Sequence, residues 1–342
     1  MVKPYQVIAL PGEGIGTEVV EAGLAVLQCL AQQQNFVVNI DYGWIGQPAK
    51  KKFGQFFPED TAQRCQEADG IIFGAVTQGG LLELRQRFDF FVNLRPVRSH
   101  PALFHKSPLK AERLENVDIL FVRELASGLY FGPSGRVEEG SYGYHTMQYS
   151  DQEIRRIARV ALQKAQGRRK HVTVAHKENA LPQIPWRQLV AEVALDFADV
   201  TVEPMLVDNL AMQLVMRPRD FDVILAGNLF GDILSDLGGA IAGSIGLLGS
   251  ASFNEQGLGL YEPIHGTAPD IAGKGIANPL GMISSITMML QSWGEATAAT
   301  KLTEVQHQIL EQGYRTADLY TNKAEERKVS TQELTSRLCE ML

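Results

Sequence analysis

Three observations predict an α/β protein whose sheet is flanked by helices. Short β-branched runs alternate with stretches of helical periodicity. Glycine or polar residues follow several of those runs at once, where α/β folds keep their functional groups. The chain of 342 residues is long enough for two domains or for one large α/β unit.

In chain order, "YQVIAL", "DGIIFGAV", "VDILFVRE", "HVTVAHK" and "FDVILAG" read as buried strands, each short and apolar. "DQEIRRIARVALQKAQ" sets Ile154, Ile157, Ala161 and Ala165 on one face, the mark of an amphipathic helix. Between Tyr130 and Tyr149 the pattern changes. "YFGPSGRVEEGSYGYHTMQY" is rich in Gly and Tyr without a helical period, which predicts a hairpin arm or a long loop able to reach a neighbouring subunit. No repeat, low-complexity segment or linker marks a domain boundary.

Composition narrows the function classes. With 45% hydrophobic and 21% charged residues the chain reads as an ordinary soluble protein. A net charge of −7 argues against nucleic acid as a main partner, because phosphate binding needs a basic surface. It permits small anionic substrates where cationic side chains gather. Cys29, Cys65 and Cys339 lack metal-ligand spacing and cannot all pair, so a reducing cytoplasm is expected. "MVKPYQVIALPGEGIG" does not read as a signal peptide. The uncharged stretch Leu237 to Asn254 is broken by repeated glycines and does not read as a membrane span.

Several constellations could carry chemistry. "LPGEGIGTE" places Gly12, Gly14 and Gly16 after a strand with G-x-G-x-G spacing, not the dinucleotide G-x-G-x-x-G; a tight turn and a ligand loop both remain open. "GNLFGDILSD" puts Asp232 and Asp236 four apart. If a helix begins at Gly231 they share one face, where like charges repel by a few tenths of a kcal/mol unless a cation lies between them. The plainer reading is one acid favoured by the helix dipole and one solvated. Asp208 interrupts the apolar "MLVDNLAMQLV". Three carboxylates without His or Cys suit a hard cation, Mg2+ or Mn2+.

"LLELRQRFDFFVNLRPVR" carries Arg85 and Arg95, and Arg123 ends "DILFVRE". Singly such arginines are usually surface residues; at strand or turn positions beside an acidic metal site they suggest a substrate with two carboxylates. "HVTVAHKENAL" ends a strand with Lys177, and "RELASGLYFG" presents Tyr130 in a Gly-flanked turn. Both types move protons when a cation or burial lowers their pKa, although a tyrosine in isolation reads as a core aromatic.

Together, "NLRPVR", "RELASGLYFG", "VDNLAMQLV", "GNLFGDILSD" and "YEPIHGTAPDIAGKGIANP" make the chain resemble the β-decarboxylating dehydrogenases, the isocitrate and isopropylmalate dehydrogenase family, from "VIALPGEGIG" almost to the C-terminus. The resemblance implies a two-domain isopropylmalate-dehydrogenase-like fold that is not a Rossmann fold. Residues near 1–90 and 244–342 would form a large cofactor-side domain. Residues near 91–243 would form a smaller domain supplying the dimer contact.

It also implies roles. Arg85, Arg95 and Arg123 would grip the carboxylates of a malate. Asp232 and Asp236, with Asp208 of the partner subunit, would hold Mg2+ or Mn2+ as a Lewis acid. Lys177, also reaching across a homodimer, would take the hydroxyl proton, and Tyr130 would protonate carbon after CO2 departs. Asn179, Glu262, His265, Gly266, Thr267, Ala268, Asp270 and Asn278 would bind the cofactor. A carboxylate at Asp270 accepts bonds from ribose hydroxyls and repels a 2′-phosphate, favouring NAD over NADP.

The sequence also departs from that pattern. The segment before Arg85 is short, and "FDFFVNLRPVR" is similar to D-malate and tartrate relatives. Glu13, Thr17, Gln78 and His176 stand where the family commonly has other residues. Leu81 and Leu82 match positions that touch the isopropyl group, which disfavours isocitrate with its third carboxylate. Ala180 stands where a valine is usual, which would enlarge the pocket. The expected reaction is NAD-dependent oxidative decarboxylation of 3-isopropylmalate, as in leucine biosynthesis. The alternatives are a larger 3-substituted malate such as 3-benzylmalate, then D-malate or tartrate, and a non-catalytic regulatory subunit.

Overall fold

The computed structural model describes residues 4–137 and 140–342. It divides into two compact units. The first comprises the chain up to Phe88 with His100–Pro108 and Ala242–Leu342; the second comprises Asp89–Ser99 and Leu109–Ile241.

The first unit holds five strands: β1 (Tyr5–Gly12), β2 (Val38–Tyr42), β3 (Gly70–Ala75), β11 (Gly249–Phe253) and β12 (Gly259–Pro263). Their order is β2-β1-β3-β12-β11, parallel except where β11 meets β12. A strand from late in the chain thus lies beside β3, which departs from the 3-2-1-4-5-6 succession of dinucleotide folds. β3, "GIIFGA", is buried throughout, the pattern of a strand covered on both faces. The helices Gly16–Gln34 and Leu280–Ser292 cover one of those faces, with Val19, Val20, Leu24, Leu27, Met282, Ile286 and Met289 in one apolar cluster with Ile72. Each such side chain contributes roughly 1.5–3 kcal/mol on burial.

The second unit holds β4 (Val92–Arg98), β5 (Asp118–Glu124), β8 (His171–His176), β9 (Thr201–Leu206) and β10 (Val223–Ala226), in the order β4-β5-β10-β8-β9. Only β4 runs antiparallel. The helix Asp151–Gln166 forms as its periodicity predicts, and Ile154, Ile157, Ala161 and Ala165 are all buried. Its start is fixed by a capping box: Ser150 Oγ accepts from Glu153 N at 3.2 Å, and the Glu153 carboxylate accepts from Ser150 N at 2.7 Å.

The Gly- and Tyr-rich segment is a hairpin arm: β6 (Ser134–Val137) pairs antiparallel with β7 (Tyr142–His145), and every residue of both strands is exposed. Glu138 and Glu139 of that arm lie outside the described residues. No helix among the described residues is long and apolar enough to cross a membrane.

Candidate active site

In the second unit, β5, β10 and β8 run parallel and end at one sheet edge. Ala226 is in register with both Arg123 and Ala175, so Arg123, Asn228 and Lys177 fall along that edge. The helix after β10 spans Asn228–Ala242, three residues earlier than the expected start at Gly231. Its first turn closes early because Gly231 N bonds Gly227 O at 2.7 Å, while the Asn228 N–H donates to Tyr149 Oη at 2.8 Å. Asp232 and Asp236 therefore sit one turn apart on one face.

The cation that relieves their repulsion is arginine. Arg95 Nη1, from β4, lies 3.2 Å from an oxygen of each carboxylate. Arg123 Nη1 is 2.6 Å from Asp232. Both guanidinium groups are buried, while the side chain of Asp232 is 32% and that of Asp236 50% exposed, so the cluster opens through its acids. Burial pushes the Asp236 carboxyl above its ordinary value and Asp232 adds to this, while Arg95 and Arg123 pull it down.

Tyr130 ends the short 3-10 turn Gly128–Tyr130 and donates its hydroxyl to Asp232 Oδ2 at 2.9 Å. Burial, with the Asp232 charge next, raises its pKa. That is the opposite of the lowering expected of a proton carrier. The phenol therefore stays protonated in this arrangement, its proton held by the Asp232 carboxylate.

Lys177 follows β8 directly, and its Nζ lies 2.8 Å from Asp208 Oδ2 at the start of the helix Val207–Met216. That bond holds the Asp208 carboxyl below its ordinary value. Asp208 is thus committed to Lys177 and is not gathered with Asp232 and Asp236; among the described residues no three His, Cys, Asp or Glu side chains form a metal-holding group. Ala180 and Asn179 are exposed just beyond Lys177. Beside Lys177 lies a pocket walled by Tyr149, Leu181, Trp186, Leu229 and Phe230.

The first unit carries the remaining candidates. Arg85 lies within the helix Leu81–Arg87, not at a turn, and pairs with Glu262 at 2.8 Å with both side chains buried. Its Nε has no partner. Leu81 is half-buried and Leu82 exposed one turn before it. After β12 the chain runs through His265, Gly266, Thr267, Ala268 and Asp270. The Gly12–Gly16 segment docks on this stretch: Ile15 N donates to Thr267 O at 2.9 Å. At Gly14, with φ +60°, a Cβ would stand 2.0 Å from that oxygen, so glycine is required there by a tight turn and a close approach.

His265 Nδ1 meets Gly266 O at 2.9 Å, its Nε2 is buried without a partner, and burial lowers its pKa, keeping the ring neutral. Asp270 is exposed. Asn278 is turned inward, its Nδ2 donating to Asp318 at 3.0 Å and its Oδ1 accepting from Leu280 N.

Both implied groups fit these residues. Two carboxylates that converge on one positive atom are a donor set for a hard cation, which needs further oxygens from elsewhere. An unpartnered buried imidazole nitrogen beside an exposed carboxylate and an open glycine suits a nucleotide.

Three residues of the cluster were not singled out in the sequence. Asn93 Oδ1 accepts from Arg95 Nε at 2.8 Å, Ser235 Oγ accepts from Arg95 Nη1 at 2.8 Å, and Asn228 holds Arg123. A signal existed for two of them. Asn228, Asp232, Ser235 and Asp236 follow the i, i+4, i+7, i+8 spacing of one helical face.

The model of the isocitrate/isopropylmalate dehydrogenase family matches residues 6–338. A 3-isopropylmalate dehydrogenase of Methylococcus capsulatus is 45% identical over 92% of each chain. One from Aquifex aeolicus is 43% identical over 99% of this chain and 98% of its own. Among solved structures, an isocitrate dehydrogenase from Methylococcus capsulatus superposes with a TM-score of 0.90 at 30% identity, covering 98% of this chain and 99% of that one. A β-decarboxylating dehydrogenase from Thermococcus kodakarensis gives 0.81 at 31% identity, covering 98% and 96%.

Proposed function

Because the chain belongs to the isocitrate/isopropylmalate dehydrogenase family, we propose that it oxidises and decarboxylates a 3-substituted malate, 3-isopropylmalate foremost, as in leucine biosynthesis. The observation that carries the reading is the gathering of Arg95, Arg123, Asp232, Asp236 and a protonated Tyr130 at one sheet edge.

When bound, a divalent cation (Mg2+ or Mn2+) supplies Lewis acidity and NAD supplies the hydride acceptor. Asp232 and Asp236, with an Asp208 from a second subunit, would hold the cation. Glu262, His265 to Ala268, Asp270 and Asn278, with Asn179, would hold NAD. Arg95, Arg123 and Arg85 bind and orient the two substrate carboxylates. Lys177 of that second subunit, in its neutral form, takes the proton of the C2 hydroxyl at its Nζ. After CO2 leaves, Tyr130 Oη donates its proton to C3, a step that needs the burial and the Asp232 charge that now hold that proton to be relieved once substrate and cation are in place.

The substrate assignment draws support from two directions. The isopropylmalate dehydrogenases are 43–45% identical to this chain, against 30% for the isocitrate dehydrogenase structure. Leu81 and Leu82 offer an apolar wall and no partner for a third carboxylate. A larger substituent is the second reading, favoured by the exposed and small Ala180.

A homodimer with shared sites is part of the proposal. Met212, Val215, Met216 and Ile233 form exposed apolar surface on the helices that carry Asp208 and Asp232. Asp208 also stands apart from the other two acids. Sedimentation of a single chain under assay conditions would refute it. The free thiols fit a reducing cytoplasm.

The test is a panel of 3-isopropylmalate, 3-benzylmalate, D-malate and isocitrate with Mn2+ and NAD, compared by kcat/KM. The expected order puts 3-isopropylmalate first and isocitrate last. Preference for the benzyl compound would select the second reading. Absence of turnover on every member would leave a regulatory subunit.

A further inference from the structure

We infer that Asn228 is the positioning residue that holds the substrate-gripping Arg123 and the Tyr130 segment in one fixed arrangement. The inference rests on the reading that Tyr130 is the acid and Arg123 a carboxylate grip.

Asn228 is fully buried at the first position of its helix. Its amide bonds in two opposite directions. Nδ2 donates to Leu125 O at 3.2 Å and to Ser127 O at 2.9 Å. Oδ1 accepts from Arg123 Nε at 3.1 Å and from Nη2 at 2.7 Å, and the main-chain oxygen of Asn228 accepts from the same Nε at 2.9 Å. Two donors and two lone pairs are the whole capacity of a carboxamide, and all four are engaged.

Each direction leads to one functional group. Toward the arginine, Asn228 takes Nε and Nη2, which leaves Nη1 directed at Asp232. Toward the loop, it holds the carbonyls of Leu125 and Ser127, immediately before the turn that carries Tyr130. That turn is pressed close. Gly128, at φ +80°, has no room for a side chain: a Cβ would lie 2.2 Å from Tyr149 Oη and 3.3 Å from Asn228 Cβ. Tyr149 in turn accepts the Asn228 N–H at 2.8 Å. From below, Glu124 accepts from Ala126 N and Ser127 N at 3.0 and 3.1 Å. The two ends of this network meet again at Asp232, which receives both Arg123 and the Tyr130 hydroxyl.

No other side chain of this size does both. Aspartate keeps the grip on Arg123 but turns an oxygen against two carbonyl oxygens, and alanine abandons both contacts. The two substitutions therefore separate the roles.

Asn228→Asp is expected to leave KM within about threefold and to lower kcat about 100-fold, the order of loss that follows a misplacement of about 1 Å at a reacting group. Asn228→Ala should also raise KM about tenfold through a loosened Arg123, roughly one decade of affinity. The decisive readout is non-additivity. Because Asn228→Asp acts through Tyr130, adding it to Tyr130→Phe should lower kcat no further. An equal further loss in that background overturns the positioning role toward Tyr130, and an unchanged KM in Asn228→Ala overturns the role toward Arg123. If Tyr130→Phe alone left kcat intact, the assignment of the acid would fall, and with it the tyrosine half of the inference, while the KM arm would still judge the arginine half. Should the alanine chain not fold, Arg123→Lys in the Asn228→Asp background replaces it. A KM rise as large there as in an unmodified background would remove the arginine half.

Discussion

The Asp232 cluster of the second unit and the stretch after β12 in the first prepare their polar groups in opposite ways. In the second unit the side chains of the cluster are neutralised by one another: Arg95 and Arg123 meet Asp232 and Asp236, Tyr130 caps Asp232, and Lys177 meets Asp208. In the first unit, the stretch after β12 leaves groups open: Asp270 is exposed, His265 Nε2 is unpartnered and a Cβ at Gly266 would meet nothing within 4 Å. The difference follows from charge density. Buried guanidinium groups and clustered carboxylates cannot stay unpaired without a cost of several kcal/mol. A neutral imidazole and a solvated carboxylate can wait for a ligand at little cost. The proposed reaction centre is assembled against itself, whereas the proposed nucleotide seat keeps groups open.

The sharpest break of this contrast is Tyr130→Phe. Loss of a positioned acid should lower kcat about 10²–10⁴-fold. With Tyr130 36% exposed and both arginine–Asp232 bonds retained, the thermal midpoint should barely move. A large drop in midpoint would mean that the hydroxyl is structural.

Glu124, beneath the same loop, tests the electrostatics by pH. Burial pushes its carboxyl from 4.5 up to about 7, against the pull of the Ala126 and Ser127 N–H groups. Below about pH 4.5 it is protonated folded or unfolded. Between 4.5 and 7 the folded chain keeps a proton that the unfolded chain releases, so this stabilisation is lost as pH rises through 7. The loss amounts to up to about 3 kcal/mol. Glu124→Gln should therefore gain stability relative to the parent between pH 5 and pH 8 in urea unfolding. Parallel pH curves would show that the carboxyl is not held neutral.

The smallest effect belongs to the open region. Asp270→Lys replaces a repulsion of the 2′-phosphate by an attraction and should move the NAD:NADP ratio of kcat/KM about tenfold toward NADP. Stability should not change, since Asp270 is exposed. An unmoved ratio would remove Asp270 from the ribose site.

Much of this was legible in sequence because it depends on near neighbours. Strands such as β3 and β8 announce themselves by continuous apolar residues, and the helix Asp151–Gln166 by its period and its Ser150/Glu153 box. The acids and arginines of the site were legible as residue types in recognisable motifs. Their pairings were not. Arg85 finds Glu262 across 177 positions, and Arg95 finds Asp236 across 141. The direction of the Tyr130 pKa shift and the helix start at Asn228 likewise depend on partners that only the folded chain brings near.

The order of the strands has a consequence for synthesis. β3 pairs with β12, Ile71 opposite Leu260 and Ile72 opposite Tyr261. The first unit therefore cannot be completed until the last part of the chain has left the ribosome, whereas Leu109–Ile241 emerges as one continuous piece. At about 5–20 residues per second the chain between β3 and β12, residues 76–258, takes roughly 9–37 s to appear. During that interval a wholly apolar strand edge at β3 stands unpaired, the kind of edge that seeks other chains. The nascent protein is thus most exposed to misassembly at its oldest strands, and a chaperone that shelters residues 70–75 would matter more to yield than one acting on the second unit.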